Sequence, residues 1–396
     1  MKVSKNQCWD IFCQVVDNYG DIGICWRLSQ QLASEHKIKV RLFINDMVAA
    51  QHIIANLALN QASQIINGVN LCVWPEISVT PAQVVIAAFD CKLPDSYSQK
   101  LFINHSTWIN LEYLSAEPWV GDFHAKSSPQ PALGLTKHFF FPGFTPNTGG
   151  LVREHNLIAN RDAFLKSSGK KAIFWARLGL SHLAKENMVR ISLFSYPEAQ
   201  IRRLFSALAN HKNIIHIVMP FNGNLSQYNA AFSDCTQSES QGSCRLLQQG
   251  NLSVHLVPFL SQDDYDHLLW ACDLNFVRGE DSWIRAIWAG KPFIWQPYWQ
   301  ADKVHIQKML AFLHVYNESA SRQMQTLLLD AHQEWSANDT DLAPAKNLNQ
   351  ALWTNLINQL PALAAFTYQR SNTLTLQTDL ATKLVIFSEN LRNNQV

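Results

Sequence analysis

Two common nucleotide-binding signatures are missing from this chain of 396 residues. No GxGxxG stands between a strand and a helix, and no Walker lysine closes a glycine-rich loop. No Asp-X-Asp stands directly after an apolar strand run. Long hydrophobic runs are absent too: none reaches 18 residues, so nothing reads as a membrane span. The opening residues MKVSKNQCWD lack the apolar stretch of a secretory leader. Charge is scarce and balanced, with 16% charged residues, 32 basic against 31 acidic and a formal net charge of +1. That excludes the bulk electrostatic signature of a nucleic-acid or membrane-surface protein. The 8 cysteines never form CxxC. Cys8, Cys13, Cys25, Cys72, Cys91 and Cys272 sit in apolar runs, where a packed, reduced thiol is expected. Cys235 and Cys244 lie in a polar loop and are placed to pair, while the rest of the chain reads as cytosolic. What is plentiful is aromatic: 11% of the chain, with 13 Trp, the mark of compact packed domains with little room for disordered tails.

The apolar pattern alternates strand and helix in both halves. Strands are expected at WDIFCQVV (9–16), 39–44, 70–74, QVVIAAF (83–89) and FINHSTWINL (102–111). They are expected again at KAIFWAR (171–177), RISLFSY (190–196), NIIHIVM (213–219) and SVHLVPF (253–259). Helices are expected at 24–36, 263–272, 302–316 and about 375–392. Residues 119–150 show no helical periodicity and read as a long connection carrying a phenylalanine cluster, a core plug by residue type. A polar stretch at 155–170 reads as the boundary, and 233–250 as a polar insertion. The fold class is therefore α/β, two doubly wound, Rossmann-like domains facing across a cleft. The expected bounds are 1–165 and 170–370, with the last helix, about 375–396, free to pack back on the first domain.

Two loops carry the candidate chemistry. Asn275–Trp295, NFVRGEDSWIRAIWAGKPFIW, reads as strand, polar loop, helix, strand. Trp283, Ile284, Ile287 and Trp288 share one helix face, and Gly290 with Pro292 ends the helix. Its polar residues fall at a strand's carboxyl end, where open α/β sheets bind ligands. A helix N-terminus there suits a phosphate, and Arg278 adds a permanent cation. Asp281 or Ser282 serving only as a helix cap is the competing reading. The second loop, Asp17-Asn18-Tyr19-Gly20-Asp21-Ile22-Gly23, sets two carboxylates after the first strand. A cap and a turn residue would look the same.

Four motifs in this order together resemble the EarP family of bacterial protein-arginine rhamnosyltransferases, which are GT-B glycosyltransferases. They are DNYGDIG (17–23), INLEYLSAE (109–117), FFPGFTP (140–146) with Gly149-Gly150, and RGEDS (278–282). The resemblance covers nearly the whole chain. Trp299 departs from it, standing after Tyr298 where the family is expected to have proline.

The resemblance implies transfer of L-rhamnose, with inversion and without metal or other cofactor, from TDP-β-L-rhamnose to an arginine of elongation factor P. It implies Asp17, Asp21 and Glu280 as the essential carboxylates, with Asp21 favoured as base; the sequence alone does not rank the first two. It implies that Phe259, Gln262 and Tyr265 hold the thymine. Arg278, Gly279, Glu280, Asp281, Ser282 and Tyr298 would hold ribose and diphosphate, Tyr196 would line the same cleft, and Asn18, Tyr19 and Gly20 would reach the donor. The chemistry is coherent: an arginine stays protonated and is a poor nucleophile until carboxylates align it and take its proton. Two other readings stand beside this one. One is a GT-B transferase acting on a small molecule or lipid, although no basic amphipathic helix marks a lipid acceptor. The other is a non-catalytic sugar-nucleotide sensor, which would have no use for Asp17 and Asp21.

Overall fold

The computed structural model describes residues 7–17, 19–74, 79–221, 228, 232–238, 245–337 and 346–393. They form two units, Met1–His155 with Thr375–Val396, and Asn156–Leu374.

Unit 1 is built on eight strands: β1 (Cys8–Cys13), β2 (Lys39–Ile44), β3 (Ser63–Ile66), β4 (Val69–Val73), β5 (Val84–Ala88), β6 (Thr107–Leu111), β7 (Ser127–Gln130) and β8 (Leu135–Phe140). Their order is β3-β4-β2-β1-β5-β6-β8-β7. Neighbours pair in parallel except at the two edges, β3 on β4 and β7 on β8. Every residue of β5 is buried, which suits a parallel strand covered on both faces. The chain leaves β1 for β2 on one side and returns to β5 on the other. The topological switch point therefore lies at the carboxyl end of β1.

Several expected elements change here. Residues 119–150 are not a plain connection: they hold the helical turn Val120–Phe123 and the β7–β8 hairpin. Parallel pairing of β8 with β6 makes Phe140 part of the sheet core, 1% exposed. The strand expected over 102–111 begins only at Thr107, because Phe102 and Ile103 stand in a turn with their side chains exposed. The final helix, Leu380–Asn393, packs within unit 1, with Phe387 5.3 Å from the Phe140 ring. Gly150 makes that return possible: at φ 75°, a Cβ on it would stand 2.5 Å from the Thr378 carbonyl.

Unit 2 contains β9 (Val189–Leu193), β10 (Ile215–Phe221), β11 (Thr236–Ser238), β12 (Arg245–Gln249), β13 (Leu252–Pro258), β14 (Leu274–Arg278) and β15 (Phe293–Gln296). They are ordered β11-β12-β13-β10-β9-β14-β15. The five from β13 to β15 run parallel, and β11 and β12 are antiparallel additions at the edge. In its described part, the expected polar insertion at 233–250 is thus two edge strands; Cys244 lies outside the described residues. Cys13, Cys25, Cys72, Cys91 and Cys272 are free and buried.

KAIFWAR, expected as a strand, belongs to the helix Ser168–Arg177. Ser167 caps it, its hydroxyl accepting from the Lys170 N–H at 3.2 Å, a start signal that outweighs the β-like run. The supposed polar linker is also a helix, Leu157–Lys166, and it belongs to unit 2. Its Arg161 is fully buried, donating to the Trp288 carbonyl and the Ser371 hydroxyl, each at 2.9 Å.

Candidate functional site

In unit 2 the chain turns from β9 to β10 on one side and places β14 on the other. Segments leaving the carboxyl ends of β9 and β14 therefore emerge side by side, the usual ligand position in such sheets. After β9 come Phe194, Ser195 and Tyr196; after β14 comes the Arg278–Ser282 loop. The Arg278 guanidinium carbon lies 4.4 Å from the Phe194 ring centre and 4.4 Å from that of Tyr196. Cation–π contact on two rings fixes a charge that would otherwise roam on a long side chain. Tyr298, exposed, meets Tyr196 edge-on at 5.7 Å. Phe259 and Tyr265 meet Phe194 at 6.0 and 5.7 Å, completing an aromatic group. The Tyr265 side chain is buried beside Ser282, and burial raises its pKa.

The helix Asp281–Ala289 starts at this group. Its N-cap residue, Glu280, makes no side-chain capping bond. Ser282 instead binds back to Arg278, accepting from its N–H at 3.0 Å and donating to its carbonyl. Gln262 Nε2 donates to Asp281 Oδ2 at 3.1 Å, linking the starts of two helices. Those helices are fixed together by a buried pair: Arg285 Nε donates to Asp266 Oδ1 at 2.9 Å and Nη2 to Oδ2 at 2.5 Å. The helix buries its whole circumference, not only the expected face of Trp283, Ile284, Ile287 and Trp288, and Gly290 ends it at φ 63°. Gly279 is held by Trp295 Nε1, which donates to its carbonyl at 2.7 Å, and by the Gln296 carbonyl, which accepts its N–H at 3.2 Å.

In unit 1 the Asp17–Gly23 segment occupies the switch point after β1, and the helix expected from residue 24 already begins at Gly20, so Asp21 stands in its first turn. Asp21 is 2% exposed, and its Oδ2 accepts from the N–H groups of Val16 and Asp17 at 2.8 and 2.9 Å. Burial raises its pKa; those two backbone bonds and one from the Tyr113 side chain act in the other direction. Asp17 is 9% exposed, and its carbonyl accepts the Gly20 N–H at 2.7 Å. A Cβ on Gly20 would lie 2.6 Å from Asp17 Oδ2, so this glycine makes room for the carboxylate. Tyr19 packs edge-on against His52 at 5.8 Å. Asn18 lies outside the described residues. Beside the loop, Phe89 (φ 59°) stacks on Tyr113 at 4.3 Å, and Asp90 follows at φ 54°. Two consecutive non-glycine residues in this region store local strain, a frequent companion of functional sites.

The expected residues thus gather into two groups. Glu280, expected to act with Asp17 and Asp21, belongs to the unit 2 loop and is 8% exposed. Sequence reasoning missed Phe194, Gln296 and Tyr113. Phe194 was hidden inside an apolar run that reads as strand to its end. Gln296 closes β15, and its side chain accepts the Tyr196 N–H at 2.9 Å.

A family model described as elongation-factor P (EF-P) rhamnosyltransferase EarP matches residues 9–389. The chain belongs to the EarP family. It is 40% identical over 389 residues to a protein-arginine rhamnosyltransferase of Pseudomonas putida, covering 96% of this chain and 98% of that one. A relative of the same description from Shewanella oneidensis is 40% identical over 330 residues, covering 80% and 82%. A solved structure on EarP-mediated arginine glycosylation of translation elongation factor EF-P superimposes with a TM-score of 0.66. It is 30% identical and covers 97% of this chain and 99% of that chain. MurG of Acinetobacter baumannii, 12% identical with a TM-score of 0.51 over 98% and 100%, shares the fold alone. The architecture of this EarP-family chain is GT-B, and the chain is a glycosyltransferase. Among its described residues no helix is long and apolar enough to cross a membrane.

Proposed function

We propose that this chain transfers L-rhamnose from TDP-β-L-rhamnose to one arginine side chain of elongation factor P in the cytoplasm. One observation supports the donor side above the others: Arg278, held over Phe194 and Tyr196, stands at the start of the helix Asp281–Ala289. A fixed cation and a helix N-terminus suit the diphosphate. The surrounding aromatic group, with Phe259, Tyr265 and Gln262, suits thymine. Glu280, Asp281, Ser282, Gly279 and Tyr298 complete the ribose and diphosphate contacts in this reading.

On the acceptor side Asp17 and Asp21 align the guanidinium and offset its charge. One guanidinium nitrogen attacks the anomeric carbon from the face opposite the leaving oxygen. The carbon–oxygen bond to TDP breaks, and the configuration inverts. The nitrogen's surplus proton passes to a carboxylate, with Asp21 favoured because burial raises its pKa. The departing diphosphate keeps the electron pair, and Arg278 stabilises the charge that builds there. No divalent metal takes part in this scheme, and full turnover is expected in excess EDTA.

The test is the intact mass of elongation factor P after incubation with this protein and TDP-rhamnose. A gain of one deoxyhexose, absent when the acceptor arginine is replaced by lysine, is expected. An unchanged mass, with the acceptor folded and the donor intact, overturns the acceptor assignment. A gain that requires added magnesium or manganese overturns the metal-free mechanism.

A further inference from the structure

Three histidines of unit 2 meet on the sheet face turned away from its main core. Along β10, Ile215, Ile217 and Met219 join the hydrophobic cluster; along β13, Leu252, Val254 and Leu256 do the same. Alternation along a strand sends His216 and His255 to the opposite face. The 3₁₀ turn Ser181–Ala184 brings His182 to the same place. Imidazole nitrogens of His182, His216 and His255 all lie within 4.8 Å of one another. His216 and His255 are buried, with His216 Nδ1 and His255 Nε2 2.9 Å apart; His182 is exposed. Its ring lies 5.5 Å from His216 and 5.1 Å from His255.

We propose that His182, His216 and His255 form a binding site for a transition-metal dication of the zinc class, with one coordination position open to solvent. Three imidazoles are a donor set that zinc, nickel and copper accept, and a dication with three protein ligands keeps its fourth position for water. Zinc–nitrogen bonds of about 2.0–2.1 Å need only small ring shifts from this arrangement. The one bond to be given up is that between His216 and His255. Its proton moves to the other nitrogen of the donor ring, a tautomer change that leaves both rings neutral. Burial already favours the neutral form of all three, lowering His216 to about 4 and His255 to about 3. Two cations act nearby, Lys185 on His182 and Arg190 on His216. Arg190 is partly neutralised by Asp273 Oδ2 at 3.4 Å, and its guanidinium donates to the carbonyls of Leu183 and Lys185. The carbonyl bonds fix the C-terminal end of the turn that presents His182. His216 stands near the amino end of β10, whereas the sugar-nucleotide residues follow the carboxyl ends of β9 and β14. The site is therefore separate from the transfer chemistry.

The full-length protein is titrated with zinc chloride in competition with a chromophoric chelator, and in parallel with cobalt(II). One equivalent of zinc, a rise in Tm reversed by EDTA, and the intense visible bands of four-coordinate cobalt are expected. His182→Ala removes an exposed side chain, so its fold should persist. It should weaken binding by about 100-fold or more, beyond what losing a partner that merely orients a ligand costs. His255→Gln, checked by circular dichroism, should do the same. Rhamnosyl transfer should be unchanged in His182→Ala, so a failure of this site is distinct from a failure of the proposed reaction. No saturable zinc binding, or equal affinity in His182→Ala, overturns the proposal.

Discussion

Asp21 accepts two backbone hydrogen bonds that hold the chain entering its helix, yet burial makes its charged form costly. Its folded pKa is raised above the unfolded value of about 3.9. Below that value the carboxyl is protonated in both states, and its contribution to stability is full. As pH rises through the folded pKa, the folded protein must ionise a desolvated group, and that stability is lost. Asp21→Asn keeps an oxygen acceptor for Val16 and Asp17 without the charge. Its Tm should therefore exceed that of the natural protein at pH 7, and the gap should close as pH falls toward about 4. Turnover should meanwhile fall by about 10²–10⁴-fold, the range for losing a general base. Calorimetric scans across pH, paired with mass-based rates, check both halves; near-normal turnover would remove Asp21 from the mechanism. Arg278→Ala should weaken TDP binding, since a charge-assisted hydrogen bond contributes about 1.5–3 kcal/mol. Titration calorimetry showing unchanged affinity would detach Arg278 from the donor.

At the scale of elements, the two helices that start at the aromatic group around Arg278 are held in register by Asp266 and Arg285, with side chains 5% and 2% exposed. Removing one partner strands the other charge. Asp266→Asn should destabilise unit 2 by about 3–5 kcal/mol in denaturant melts and loosen TDP binding through the Gln262–Asp281 contact. The pair Asp266→Leu with Arg285→Met should recover most of the stability. A cost under about 1 kcal/mol for Asp266→Asn would show that water relieves the stranded arginine. These helices were legible because periodicity and the Gly290 stop agreed. KAIFWAR was misread because a short apolar run fits a buried strand and a buried helix alike, and only the Ser167 cap distinguishes them. The β7–β8 hairpin was missed because half-exposed Lys137, His138 and Phe139 give no clean alternation at a sheet edge. The Arg278 loop and the two aspartates could be found from their place after strands. Of the aromatic seat of Arg278, Tyr196 was implied by the family resemblance, whereas Phe194 could not be found, because sheet order brings it there; the histidine trio is spread over 74 positions of chain for the same reason.

At the scale of the whole molecule, unit 1 takes its last helix from beyond unit 2. Leu384 on that helix is fully buried, so Leu384→Ala should cost about 2–5 kcal/mol. Limited proteolysis should show the loss in peptides from β6 and β8, with the unit 2 sheet protected as before. Equal protection in both units would mean the helix contributes little to unit 1. Arg153 reinforces the same return, donating to the Thr375 carbonyl at 2.6 Å and the Gln377 carbonyl at 3.2 Å. This threading has a consequence for synthesis. A ribosome that has finished Arg153 must make all of Asn156–Leu374 before the closing helix of unit 1 exists. At about 5–20 residues per second that delay is roughly 10–45 s. Throughout it the apolar side chains that Leu380 and Leu384 will cover are open to water, so the nascent first unit is expected to expose an unfinished core until that helix has been made.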